Sequence, residues 1–314
     1  MMRRALTAAS FLLLGFGVAS PAAAADHSVS FEIFSPNGTI SRALVPASAL
    51  PRAARGPNVT ATVRTIQQTG SSADRFDLVF LGDGYTSSEQ SLYGNQAVTR
   101  WNQLTQHEPF KSLKNKFNVW EVDVVSRQSG SDNDPTQGIR KDTALNGGYY
   151  CGELDRLICV DDGLARQYAA LAPAADQVLV LVNSTTYGGS GGTYTVSAGG
   201  NELSGDIVTH ELGHSIGGLA DEYGGACTFS GGEPGEPNSS KLTESQMRQR
   251  NAKWAAYLGR STPDGGVIGT YEGSSYCDRG VYRPSSNSIM RSLGQEFNLI
   301  GIAAVTAGVN ARVH

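Results

Sequence analysis

The sequence predicts an α/β fold with a mainly parallel sheet and a short N-terminal β-rich extension, and three observations carry that expectation. First, the runs Phe76-Asp77-Leu78-Val79-Phe80-Leu81, Phe117-Asn118-Val119-Trp120-Glu121-Val122-Asp123-Val124-Val125 and Gln177-Val178-Leu179-Val180-Leu181-Val182 are largely apolar. That is the pattern of strands buried within a sheet. Second, residues 88–104 and 163–171 fall between these runs and read as helices, so strands and helices alternate as in a parallel α/β layer. Third, residues 26–72 hold short alternating segments (Val29-Ser30-Phe31-Glu32-Ile33-Phe34 and Val59-Thr60-Ala61-Thr62-Val63) broken by Pro and Gly. They read as strands of an N-terminal extension packed on the rest, or of a propeptide removed on activation.

Before that extension, residues 1–25 run from Met-Met-Arg-Arg through Phe11-Leu12-Leu13-Leu14-Gly15-Phe16 to Pro21-Ala22-Ala23-Ala24-Ala25. This charged, apolar, small-residue order predicts a secretory signal peptide, too short in its apolar part to remain as a membrane anchor. The expected location is therefore secreted or periplasmic, with no stable anchor in the mature form. Loss of Arg3 and Arg4 leaves 23 basic against 29 acidic residues, a formal charge of −6. No basic patch points to nucleic acid. The full chain of 314 residues can bury a large core unaided, while 38 glycines and only 17% charged residues suit a loop-rich extracellular protein. In an oxidising compartment the four cysteines are expected to form two disulfides, Cys151 with Cys159 and Cys227 with Cys277.

Taken in order, the strand ending at Leu81 runs into the turn Gly82-Asp83-Gly84-Tyr85-Thr86, where Asp83 reads as a turn former. After the third apolar run, the tract Tyr187-Gly188-Gly189-Ser190-Gly191-Gly192 leads into Thr193-Tyr194-Thr195-Val196. This second stretch is expected to be an exposed sheet edge able to take an extended peptide through main-chain hydrogen bonds. Residues 204–218 then read as a helix, with Ser204 or Asp206 near the N-cap and Gly217-Gly218 at the stop.

That helix contains His210-Glu211-Leu212-Gly213-His214. Histidines four apart lie on one helix face and can share a metal ion, and the glutamate between them can reach a water activated by that ion. Zn²⁺ suits such ligands, and a catalytic site takes three protein ligands with one position open. His27, His107 and His314 lie far from the motif in sequence, so a carboxylate is the better third ligand. Asp221 is the candidate, with Glu222 as its runner-up, because the glycine turn lets Leu219-Ala220-Asp221-Glu222-Tyr223 fold back toward the ion. Tyr223, Tyr276, Tyr282 and Arg291 are candidate donors to a developing oxyanion.

The stretch from His210 to Tyr223, with Phe80-Leu81-Gly82-Asp83-Gly84-Tyr85-Thr86 upstream and Asn287-Ser288-Ile289-Met290-Arg291-Ser292 downstream, resembles peptidase family M64, the IgA-peptidase family. The likeness spans about residues 74–305. Gly217 stands where the broader metzincin pattern has its glycine, while the usual third histidine is replaced by Ala220, followed by Asp221. The resemblance implies a metzincin-like zincin catalytic domain over residues 73–314, with a twisted mixed sheet, an active-site helix and a methionine turn at Met290. It also implies a zinc site and peptide-bond hydrolysis on protein or peptide substrates, and the reading of the residues places a single catalytic Zn²⁺ ion on His210, His214 and Asp221 with Glu211 as catalytic base. A zinc amidase or aminopeptidase acting on small peptides or cell-wall fragments, or a secreted zinc-containing binding protein without turnover, are the alternatives.

Overall fold

The computed structural model describes residues 27–50 and 60–314. The signal peptide read in residues 1–25 lies outside the described residues. Strands β1 (Ser28–Phe34) and β2 (Ile40–Pro46) pair antiparallel as a hairpin of their own. β3 (Ala61–Gln67), β4 (Phe76–Asp83), β5 (Phe117–Val124), β6 (Gln177–Val182), β7 (Gly189–Ser190) and β8 (Thr195–Ala198) form a sheet in the order β3-β5-β4-β6-β8-β7. The four inner strands run parallel, and β3 and β7 are antiparallel edges. A second hairpin, β9 (Tyr271–Ser274) with β10 (Cys277–Arg283), stands apart from the sheet. The helices are α1 (Gln90–Leu104), the single turn α2 (Phe110–Leu113), α3 (Asp162–Ala169), α4 (Ser204–Gly217), α5 (Glu244–Arg250) and α6 (Leu299–Asn310).

β4 and β5 are buried at every residue because helices cover both faces of the sheet. Side chains alternate between the two faces. Leu78, Phe80, Val119, Leu179 and Leu181 meet α1, α4 and α6 through Tyr93, Trp101, Leu212 and Val305. Val79, Leu81, Val122, Val178 and Val180 meet α3 through Leu164 and Tyr168. The expected α/β architecture with a mainly parallel sheet is thus present.

Two local expectations need correction. The N-cap of α4 is Leu203, which caps with no side chain, rather than Ser204 or Asp206. Asn201 Oδ1 instead accepts from Leu203 N at 3.1 Å, and Ser204 Oγ donates to Gly188 O at 3.2 Å. The exposed edge expected at residues 193–196 is also displaced. Thr195 and Val196 lie inside β8, with β6 on one side and, at Val196, Ser190 of β7 on the other. The glycines preceding it form the edge, because they fold back as a short antiparallel strand. Both expected disulfides, Cys151–Cys159 and Cys227–Cys277, are formed. Among the described residues, no helix is long and apolar enough to cross a membrane.

One buried acid pair makes stability depend on pH. Glu121 and Asp123 share a face of β5 under α1, where a Cβ on Gly94 would come within 2.9 Å of Glu121 Oε1. Asp123 is paired with Arg64 at 2.8 Å, whereas Glu121 is pushed up to about 8 by burial and by its hydrogen bond and charge contact with Asp123. A carboxyl raised on folding favours the native state at low pH, and that contribution is lost as pH rises from the ordinary 4.5 through about 8. Glu121→Gln is expected to remove this loss, stabilising the protein at pH 8.5 by about 1–2 kcal/mol after allowance for solvent screening. Urea unfolding at pH 5 and 8.5 checks it, the variant showing the flatter dependence.

Candidate active site

α4 is placed by its neighbours at both ends. The buried Arg100 guanidinium of α1 donates to Ala198 O and Asn201 O, both at 3.0 Å, fixing the chain that enters the helix. At the other end Gly218 adopts a left-handed conformation (φ 59°), its N–H bonded to His214 O at 2.9 Å. An L side chain rarely adopts that conformation, and from it the chain turns back along the helix.

The helical spacing brings His210 and His214 together, with ring centroids 4.8 Å apart. His210 Nδ1 lies 2.8 Å from Ile289 O, and His214 Nδ1 lies 2.7 Å from Leu219 O. A carbonyl oxygen only accepts, so both Nδ1 atoms carry hydrogen and donate. Each neutral imidazole is left with its lone pair on Nε2, and the two Nε2 atoms face one another at 3.1 Å.

Asp221 completes the approach. Its Oδ1 is 3.4 Å from each Nε2, and both carboxylate oxygens are buried without a hydrogen-bond partner. The backbone is held by Ser274 Oγ and Ser275 N, which donate to Asp221 O at 3.0 and 2.9 Å. Glu222, the runner-up, points the other way and has a full set of donors. Asn238 and Asn298 donate to its Oε1 at 2.9 Å each, and Ser288 donates to Oε2 at 2.8 Å. With Glu222 N donating to Met290 O at 2.7 Å, this residue ties the loop after α4 to residues 288–290 and to the start of α6. Met290 lies beneath α4, where a Cβ on Gly213 would come within 2.5 Å of its sulfur.

A fourth group enters from the hairpin. Glu32 Oε2 lies 2.9 Å from His210 Nε2 and 3.6 Å from His214 Nε2, while Oε1 accepts from Tyr223 OH at 2.6 Å. Ligand atoms of Glu32, His210, His214 and Asp221 all lie within 4.8 Å of one another, so the group could hold a metal ion. Electrostatics point the same way. Burial alone would lower His210, yet the charge of Glu32, its contact with Nε2 and the nearby Asp221 carboxylate push it up to about 10. His214 is likewise raised well above its ordinary value against burial, by the proximity and charge of the same two carboxylates. The site therefore calls for positive charge. Two imidazoliums with protonated Nε2 atoms 3.1 Å apart would repel, whereas one cation between the lone pairs satisfies both rings and both carboxylates.

Glu211 borders a cleft of about 320 Å³ that is also lined by Glu32, Gly191, Gly192, His214 and Tyr276. Its Oε1 is buried and unpartnered, and its carboxyl is pushed up to about 7 by burial and the Glu32 charge, against the pull of His210 and His214. A Cβ on Gly191 would sit 1.8 Å from Glu211 Oε2, so only glycine lets the strand pass the carboxylate so closely. Of the four suggested oxyanion donors, Tyr223 reaches the group through Glu32 and Tyr276 lines the cleft. Tyr282 and Arg291 are not in that lining.

Sequence reasoning missed Glu32. The signal available was its phase: Glu32 and Phe34 are the buried positions of β1, on one face, so the alternation places a carboxylate inward.

The family model for IgA Peptidase M64 matches residues 64–264 and 260–309. The chain belongs to this family. As an M64 peptidase it is a metallopeptidase, and its substrates are proteins or peptides. The match takes in α4, Asp221 and Met290 but not the hairpin bearing Glu32. No curated protein shows significant similarity to this M64 chain.

Proposed function

We propose that this M64 peptidase is a secreted zinc-dependent endopeptidase in which His210, His214 and Asp221 hold a single zinc ion and Glu211 is the general base and acid. The observation that supports it most is the pair of Nε2 lone pairs, fixed 3.1 Å apart by two carbonyls, beside a buried Asp221 carboxylate with no hydrogen-bond partner. Two imidazoles and a carboxylate suit zinc and leave one position open. Zinc bound there would act as a Lewis acid, polarising the scissile carbonyl and bringing the pKa of water down to about 7.

Glu211 accepts the proton of the attacking water as the new C–O bond forms, then delivers it to the amine nitrogen as the C–N bond breaks. Tyr223 donates its hydroxyl to the oxyanion. Met290 is the methionine turn of a metzincin-like arrangement, packed under the helix that carries both histidines. The substrate chain lies extended along Gly191 and Gly192, which border Glu211. Two disulfides fit an oxidising exterior.

Metal content tests the site whether or not the isolated chain is active. Purified protein is expected to hold zinc stoichiometrically, and Asp221→Ala to lower its zinc affinity at least about 100-fold with an unchanged circular dichroism spectrum. Equal zinc retention in parent and variant, measured by competition with a chelator, overturns the ligand set. Chelator-sensitive internal cuts in an unfolded casein are the expected activity, and release of terminal residues alone would count against an endopeptidase.

A further inference from the structure

We propose that the β1–β2 hairpin is an inhibitory latch, with Glu32 closing the site from the position that water and the scissile carbonyl need. The proposal rests on the metallopeptidase reading above and adds its regulation. Three protein ligands and an open position mark a catalytic zinc site, whereas four protein ligands mark a closed one. Glu32 makes the fourth, with Oε2 2.9 Å from His210 Nε2 and Oε1 held by the Tyr223 hydroxyl at 2.6 Å. One carboxylate thus occupies the ligand position and engages the hydroxyl assigned to the oxyanion.

The rest of the hairpin blocks the substrate path. Ser30 and Phe31 line the cleft beside Gly191 and Gly192, where the substrate chain is placed. Phe34 packs edge-on against the His210 ring, with centroids 5.6 Å apart. The hairpin is gripped on two sides. On one side Thr39 bridges to Ser292, and Leu293 N donates to Gly38 O at 2.9 Å. On the other Val45 packs with Leu157 and the Cys151–Cys159 disulfide, and Arg156 donates to Ser35 Oγ at 3.1 Å. The Arg42 guanidinium lies 4.5 Å from the centre of the Tyr276 ring.

This element is built to leave. Among the described residues its two strands pair only with each other, so its departure breaks no strand pairing of the six-stranded sheet. β3, by contrast, is paired with β5 from Ala61 onward. The removable segment therefore ends before residue 60, and the intervening sequence 51–59 contains Arg52 and Arg55.

The test compares the full-length protein, Glu32→Gln and Glu32→Ala, each loaded with Co²⁺, for binding of acetohydroxamate, a small chelating probe of an open metal position. With the latch closed, probe affinity falls by the fraction of open molecules. Both variants are expected to bind it at least about 10-fold more tightly than the parent, with a changed visible spectrum of bound cobalt. Limited trypsin cleavage of the parent is expected to release a fragment ending at Arg52 or Arg55 and to raise probe affinity by a similar factor. Glu32→Gln keeps the side chain's shape, so it reports even if the alanine variant folds poorly. Equal probe affinity and equal spectra in metal-loaded parent, Glu32→Gln and cleaved protein overturn the latch and leave the metal site standing. Failure of every form to bind cobalt overturns the metal site, and the latch with it.

Discussion

Glu211→Gln, in protein whose site is open, is expected to lower kcat by about 10²–10⁴-fold while zinc remains bound and the fold is unchanged. The amide has nearly the shape of the carboxyl but can neither take a proton from water nor hand one to the leaving amine. Because Glu211 Oε1 has no partner in the protein, the substitution breaks no structural hydrogen bond at that atom. A loss confined to kcat, with KM and zinc content near the parent's, is the result expected of a group acting in the transition state. Activity within a few fold of the parent would remove Glu211 from the mechanism.

Asp83→Ala should have the largest effect on stability, about 3–5 kcal/mol, measured as a fall in the urea midpoint at constant slope. Asp83 ends β4 fully buried, and its carboxylate accepts from Leu145 N at 2.7 Å, Gly147 N at 2.8 Å and Thr143 Oγ at 3.0 Å. Burial pushes its carboxyl up, and these donors pull it back. Alanine would strand the buried Leu145 N–H, leave Gly147 N with the Thr143 hydroxyl at 3.2 Å, and empty the centre of the loop over residues 143–147. Asp83→Asn should cost less, about 1–3 kcal/mol, since one acceptor remains. A small effect for alanine would mean that the loop repacks without its anchor.

Asp83 shows where reading the sequence stops. A turn-forming aspartate between two glycines was the natural expectation, and the side chain does serve structure. Its partners, however, lie some sixty residues away in a loop with no periodicity. What was legible had local or periodic causes: the apolar strands β4, β5 and β6, the helix with His210 and His214 one turn apart, and the glycine stop after it. Asp221 and Glu222 stood out together, but their division of labour depends on which way each side chain faces after the turn. The edge strand was misplaced because Thr195 and Val196 fit an outer strand as well as an inner one until the glycines before them fold back. Glu32 had no local signature, because its partners come from a helix almost two hundred residues downstream. Such pairings arise from how the chain returns on itself, and residue spacing carries no trace of them.

The neighbouring carboxylates also set a rule for how this loop can vary. Asp221 faces the two imidazoles, while Glu222 is locked by Asn238, Ser288 and Asn298 into the framework behind them. Adjacent in sequence, the two acids serve opposite sides of the loop, so the loop counts residues as strictly as a reading frame does. Changes of side chain at Leu219 or Ala220 need alter only packing. A single deletion between Gly218 and Asp221 would instead bring the longer acid, Glu222, into the place that faces the histidines, and a single insertion would bring Ala220 there. Length, more than composition, is what this segment can least afford to change.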